Sequence, residues 1–300
     1  MKLLKTFFVV GVVMAGLTAP PHLSAADRGR ATMAAEPPVE PRSLFQMPTG
    51  GVVKSMDAEV SGLGVLYGNP SKPAFQAALG LGDIAQMEAG ALGIVSNLRE
   101  ENELAAVSTV GLKVHVPLGR YVRGVSASFQ RSGSHTDVVD FVDWSAKVGE
   151  FHAVTTMANH GLEDVESAAA GWNGVKLQTH LGLKYMDARL ERGTDPIGMT
   201  EKTGTFWRPV VGFEVWRDNS RARVVGELNW MTRFDDVNGG VIDVVRVVSG
   251  GVRFFFSKHA TFDIGVRQQS NYDGIAEAAI QTKLTLHLPT HTFRDRVVGN

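Results

Sequence analysis

The chain of 300 residues has no cysteine, so disulfides, thiolate metal sites and a lipid-modified N-terminal cysteine are all excluded. Long apolar runs are missing as well. The longest, from about Phe7 to Leu17, covers about eleven residues, short of the roughly 20 that cross a bilayer as a helix. A dominant charge is absent too: 30 basic against 31 acidic residues give a formal charge of -1, which points to no nucleic acid or other highly charged partner. Catalytic signatures are equally scarce. The sequence holds no Gly-Xaa-Ser-Xaa-Gly elbow, no phosphate-cradling loop and no His-Glu-Xaa-Xaa-His helix.

What is present begins at the N-terminus. Lys2 and Lys5 precede the apolar stretch, and Pro20 and Pro21 lead to small residues; this is the pattern of a secretory signal peptide over 1–26, cleaved after Ala26. Residues 27–51 hold Pro37, Pro38, Pro41 and Pro48 among small and charged residues and read as a periplasmic linker. From about Val52 to Pro289 one unit then repeats: about ten residues of alternating apolar and polar side chains, closed by a turn. In the last copy, Ile280, Leu284, Leu286 and Leu288 alternate with Gln281, Lys283, Thr285 and His287. Period two sends successive side chains to opposite faces, which suits a strand between two solvents.

Twelve such strands can be counted: 56–67, 74–81, 84–95, 105–118, 121–131, 148–158, 175–190, 205–217, 221–234, 247–257, 261–269 and 276–288. Short turns at 82–83, 119–120, 218–220 and 258–259 alternate with longer connections at 97–104, 132–147 and 192–204, which would put the short turns at the end holding both termini. The segment 159–174 breaks this alternation and could carry a short helix, and the repeat is weakest between Asp137 and Lys176. The fold expected is all-β: an antiparallel up-and-down transmembrane barrel over 52–289 with a tail over 290–300. Aromatic residues near strand ends, Tyr67, Tyr121, Phe206, Trp207, Trp216, Trp230 and Phe234, are candidates for interfacial girdles.

The polar face is the lumen, because Arg or Lys facing lipid at mid-membrane costs about 2–4 kcal/mol. The residues expected to line it are Lys113, His115, Lys176, His180, Lys184, Arg208, Glu214, Arg223, Glu227, Arg253, Asp263, Arg267 and Lys283, with Glu88, Arg123 and Glu277. Cations outnumber carboxylates in this set. An open lumen so lined would favour anions; the same groups paired across strands would fill it. Neither catalytic nor metal-binding residues are assigned: Asp137, Asp140 and Asp143 match no EF-hand spacing, and His115, His180 and His287 are expected as lumen groups, an outer-membrane hydrolase requiring a hydroxyl within reach of one of them. No cofactor is expected.

Signal peptide and alternation together resemble bacterial outer-membrane β-barrel proteins as a broad class. The resemblance implies a Gram-negative outer membrane, lipid and the barrel-assembly machinery as partners, and a small porin-like channel for small solutes. A plugged barrel working through its outer loops and a soluble exported β-protein are the alternatives. The class usually ends in a terminal aromatic residue, whereas here Leu286-His287-Leu288-Pro289 leads through Phe293 to Asn300.

Overall fold

A computed structural model describes residues 41–67, 74–97, 103–119, 121–139, 142–159, 175–194, 198–217, 220–235, 240–257 and 259–290. The proposed signal peptide, the first part of the linker, residues 160–174 and the end of the tail lie outside them.

Among the described residues thirteen strands form one sheet, antiparallel except where β10 meets β3: β1 (Ala58–Tyr67), β2 (Ala74–Leu81), β3 (Ala85–Asn97), β4 (Glu103–Pro117), β5 (Val122–Ser132), β6 (His135–Val139), β7 (Val142–Asn159), β8 (Val175–Thr194), β9 (Gly198–Arg217), β10 (Ala222–Asp235), β11 (Val241–Ser257), β12 (Ala260–Gln269) and β13 (Ala279–Leu288). Strands β5 and β6 lie in one line along β7, with Arg131 opposite Gly149 and His135 opposite Ala146, so the sheet has twelve staves. Pairing of β1 with β13 and of β5 with β7 closes it into a barrel. The twelve expected strands are all present. The last starts later than expected, because 275–277 form a 3-10 turn that leaves Glu277 exposed rather than in the lumen.

Both ends of the barrel sheet lie on one side, which we term the turn end. There Gly82 and Asp83 adopt positive φ (65° and 60°), allowing the chain to reverse tightly between β2 and β3. At the opposite, loop end, two of the long connections expected from sequence are strand instead: β6 and the start of β7 occupy most of 132–147, and β8 and β9 run on to Thr194 and Gly198. At about 3.3 Å per residue and a tilt near 45°, a 20-residue strand rises about 45 Å, well beyond the ~30 Å hydrocarbon layer. The wall is therefore tall at β7–β9 and low at β2, which has 8 residues.

The tall strands exchange the character of their two faces part-way along. On β8 the outward side chains pass from Leu181 and Leu183 to Asp187, Arg189 and Glu191, while the inward ones pass from His180 and Lys184 to Met186, Ala188 and Leu190. Tyr185 and Trp207 stand at the changeover, their rings 4.8 Å apart, where an interfacial aromatic pair belongs. Toward the turn end the barrel is apolar outside, with Val110, Leu112, Val114, Phe129, Ile264 and Leu284 exposed, and polar inside. Toward the loop end it is charged outside, where Arg189 pairs with Glu191 at 2.9 Å and Glu201 at 2.8 Å, and apolar inside. Ile94, Ala105, Val107, Trp144, Ala146, Val148, Ala188, Leu190 and Phe234 form that inner core.

Strand β10 makes the core possible. Its ladder with β9 stops after five residue pairs, at Leu228 opposite Val211, and its loop-end half crosses the barrel to pair in parallel with β3, Arg233 to Asp235 against Val95 to Asn97. This overturns two outward assignments. Phe234 and Trp230 are both expected at an interface; Phe234 is fully buried in the core, and Trp230 packs against the Leu44–Val210 cluster and donates its Nε1–H to the Pro209 carbonyl at 2.8 Å. Phe206 and Trp216 also take inward places, under Arg208 and Arg223 respectively, leaving Tyr121 (68% exposed) and Trp207 (60%) of the described girdle candidates on the outer surface.

Candidate functional site: a plugged lumen

The part of the proposed linker that the structure describes does not lie beyond the barrel. Residues 41–53 run inside it. The segment doubles back on itself, with Leu44 N–H donating to the Met47 carbonyl (2.9 Å) and Thr49 N–H to that of Arg42 (2.8 Å), and its apolar side chains Leu44, Phe45 and Met47 pack on Val154, Val210 and Val225. Room for it comes from Gly212 on β9: a Cβ there would sit 2.3 Å from Leu44 Cδ1 and 3.1 Å from Met47 Sδ.

A chain buried in a lumen must have its backbone groups satisfied. The wall provides the partners. Glu227 accepts from Gln46 N–H (3.1 and 3.0 Å) and Met47 N–H (2.9 Å), Thr156 from Gly50 N–H (2.7 Å) and Gln86 from Val53 N–H (2.8 Å). In the other direction Lys113 donates to the Arg42 carbonyl (3.2 Å), Arg253 to that of Ser43 (3.0 Å), Ser126 to that of Thr49 (3.1 Å), and Lys283 to Ser43 Oγ (2.6 Å) and the Leu44 carbonyl. Each bond involving a charged group is worth about 1.5–3 kcal/mol, so the segment is held by interactions that a linker outside the barrel would lack. The segment also contributes a charge: Arg42 pairs with Glu59 at 2.7 Å and Glu88 at 3.3 Å.

Most of the expected lumen residues face inward. Lys113, His180, Lys184, Glu214, Arg223, Glu227, Arg253, Asp263, Arg267 and Lys283 are buried; His115, Lys176 and Arg208 lie on the inward face half-buried. Arg123 sits at a bulge, where the β5–β7 register shifts between Val122 and Gly124, so strand parity assigns it to neither face. The inward groups are tied together. Arg253 makes a two-pronged pair with Asp263 (2.8 and 2.7 Å) and approaches Glu214 at 3.6 Å; Glu214 also takes Arg223 at 3.1 Å, and Lys184 pairs with Glu150 at 2.8 Å. His180 joins this network through Thr156 (2.8 Å at Nδ1), with Glu214 3.7 Å from Nε2. Hydroxyl, imidazole and carboxylate thus lie in a row, but all three are buried beneath Gly50 of the inserted segment.

Among the buried groups the cationic excess read from the sequence is offset by carboxylates. Among the described residues, the buried cations are Arg42, Lys113, Lys184, Arg223, Arg253, Arg267 and Lys283, and the buried carboxylates are Asp57, Glu59, Glu150, Glu214, Glu227, Asp235 and Asp263, seven of each. Glu59, Glu150 and His152 were missed, although each has the inward parity of its own strand: Glu59 alternates with Val60, and Glu150 and His152 flank Phe151. Arg42 carried no such signal, since its segment has no strand pattern. Among the described residues no cluster of histidine and carboxylate side chains could hold a metal ion.

Between the inserted segment and the crossing half of β10 lies a chamber of about 70 Å³. Arg42, Phe45 and Gln46 form one side and Asn229, Trp230 and Met231 the other, and the barrel wall around it includes Leu63, Phe75, Glu88, Leu92, Glu150, His152, Lys184 and Lys283. It sits where the polar half of the lumen gives way to the apolar half.

No protein-family model matches the chain, and no curated protein does. Among solved structures, the translocator domain of the autotransporter NalP from Neisseria meningitidis is similar over 77% of this chain and 86% of that one, at 11% identity and a TM-score of 0.39. The toluene transporter TodX of Pseudomonas putida covers 80% of this chain and 95% of its own at 8% identity and a TM-score of 0.30; the monoaromatic hydrocarbon channel CymD covers 79% and 89% at 10% and 0.29. At such scores the likeness decides nothing about function.

Proposed function

We propose that the protein is an integral barrel of a bacterial outer membrane whose conduit for small solutes is closed, in the state described, by its own residues 41–53. The observation that carries this reading is the inserted segment itself: a closed barrel with an apolar exterior and a polar interior, filled by a piece of its own chain that the wall holds through hydrogen bonds and ion pairs. Passage requires that segment to leave. The crossing half of β10 narrows the loop end as a second barrier in series.

Lumen charge does not select anions strongly in this account. Withdrawing the segment removes Arg42 and leaves six buried cations and seven buried carboxylates, with Lys176, Arg208 and Glu88 half-buried on the same face, so neither sign dominates. Planar-bilayer recordings test the proposal: the full-length mature protein is expected to be closed with rare openings, and a variant lacking residues 27–53 to open far more often, each opening limited by the β10 barrier and with little ion preference. Equal conductance of the two would show that the segment is no plug, and a silent deletion variant would make the barrel a scaffold.

A further inference from the structure

We propose that residues 41–53 form a strap, hinged at 54–57, that leaves the lumen toward the turn end, so that the barrel is unlocked from that side and not by a solute arriving at the loop end. The inference rests on the plug reading and adds the direction in which the plug moves. Both limbs of the segment run between the turn end and the middle of the barrel. On the upstream limb, Arg42 meets Glu59, the second residue of β1, and Ser43 meets Arg253, four residues from the end of β11 at Ser257. At the tip, Gln46 and Met47 are held by Glu227, and Leu44 and Met47 lie over Gly212. Each of these wall residues is five in from the turn end of its strand, at Ala222 of β10 and Arg217 of β9. The downstream limb then returns: Gly50 is at Thr156, three residues from the end of β7 at Asn159, and Val53 at Gln86, the second residue of β3. The segment is a hairpin inserted from the turn end.

The hinge has anchors of its own. Asp57 N–H donates to the Lys54 carbonyl (3.0 Å), and Met56 between them has φ 59°, the left-handed conformation of a tight reversal. Met56 N–H donates to the Gly80 carbonyl (3.0 Å), Gly80 N–H to that of Asp57 (2.9 Å), and Ser55 N–H to the Asp83 carboxylate. These bonds tie the turn to β2 and the β2–β3 connection, and none involves residues 41–53. The turn therefore stays in place while the segment moves.

The two ways out differ. Toward the loop end stand the crossing half of β10 and the apolar core of Ile94, Trp144, Leu190 and Phe234. To pass there, Arg42 would lose Glu59 and Glu88, enter that core as an unpaired charge and draw the chain upstream of it through the barrel. Toward the turn end the wall presents Glu59, Gln86, Ser126 and Thr156, and each limb retraces its own course.

Sided thiol labelling tests the direction and needs no conductance. Gln46→Cys at the tip is combined with Gly212→Leu, or with Glu227→Ala where the first fails to fold, in vesicles that hold the barrel in one orientation. Exposed Ser220→Cys and Thr203→Cys mark the turn end and the loop end, and heat-shifted mobility checks folding. A maleimide on a polyethylene glycol chain too bulky to enter the barrel is expected to label the tip at least tenfold faster from the turn-end side than from the loop-end side. Equal or faster labelling from the loop-end side, or none from either side in both folded release variants, would overturn the proposal. Rapid labelling of Gln46→Cys with Gly212 and Glu227 intact would instead overturn the plug itself, and the strap with it.

Discussion

The two halves of this lumen are closed by opposite physics. Toward the turn end, inward charges grip an inserted segment, and the outer face is apolar; toward the loop end, apolar side chains pack inside, and charges lie outside. The upper half is built like a water-soluble β-structure with an ordinary core, the lower half like its inverse. What differs is the solvent outside: hydrocarbon takes the apolar face in one case, and water releases it to build a core in the other. One strand can serve both, as β8 does, because period two fixes only that its faces differ and not which of them is polar.

Substitutions can break or sharpen the contrast. In the charged half, Asp263→Asn leaves Arg253 buried without its two-pronged partner and is expected to cost about 3–5 kcal/mol, measured by urea unfolding from lipid vesicles. Because the pair is fully buried, raising salt should change that loss little. In the apolar half, Leu190→Ala opens a cavity against Phe234 and Trp144 and is expected to cost about 2–5 kcal/mol by the same assay. Unlike the first, it should leave the inserted segment seated. The outer charges of the tall strands lie at the bottom of the scale: Arg189→Ala, whose side chain is 48% exposed, is expected to lose less than about 1 kcal/mol, and less still at high salt. A large effect of Arg189→Ala, or none for Leu190→Ala, would erase the distinction between the halves.

Alternation made the staves legible, and for β8, β9, β12 and β13 the polar side chains it grouped together do share one face as far as the changeover. It was least informative between Asp137 and Lys176, partly because the polarity of the faces reverses on β7: Trp144, Ala146 and Val148 point inward, followed by Glu150 and His152. The pattern continues there with its sign changed, so a stretch with polar Ser134, Asp143 and Lys147 resembles a loop although most of it is strand. Trp230 and Phe234 misled for a different reason. Once β10 leaves β9, its formerly outward face meets the inside of the barrel, and no local periodicity records a departure decided by pairing with distant β3. The inserted segment was hidden most completely. Its prolines and polar residues have the composition of a linker, and its partners, Glu227, Lys113, Arg253 and Lys283, are 71 to 240 residues away in sequence, visible only after the barrel closes around it.

The central claim is that residues 41–53 occupy the lumen, and the absence of cysteine allows a single thiol to report on it. Met47 is fully buried against Gly212. In vesicles, a Met47→Cys protein is expected to resist a membrane-impermeant maleimide until it is heat-unfolded, whereas adding Gly212→Leu, which fills the space that Leu44 and Met47 use, should make the thiol react in the folded barrel. Rapid labelling of folded Met47→Cys with Gly212 intact would contradict the account.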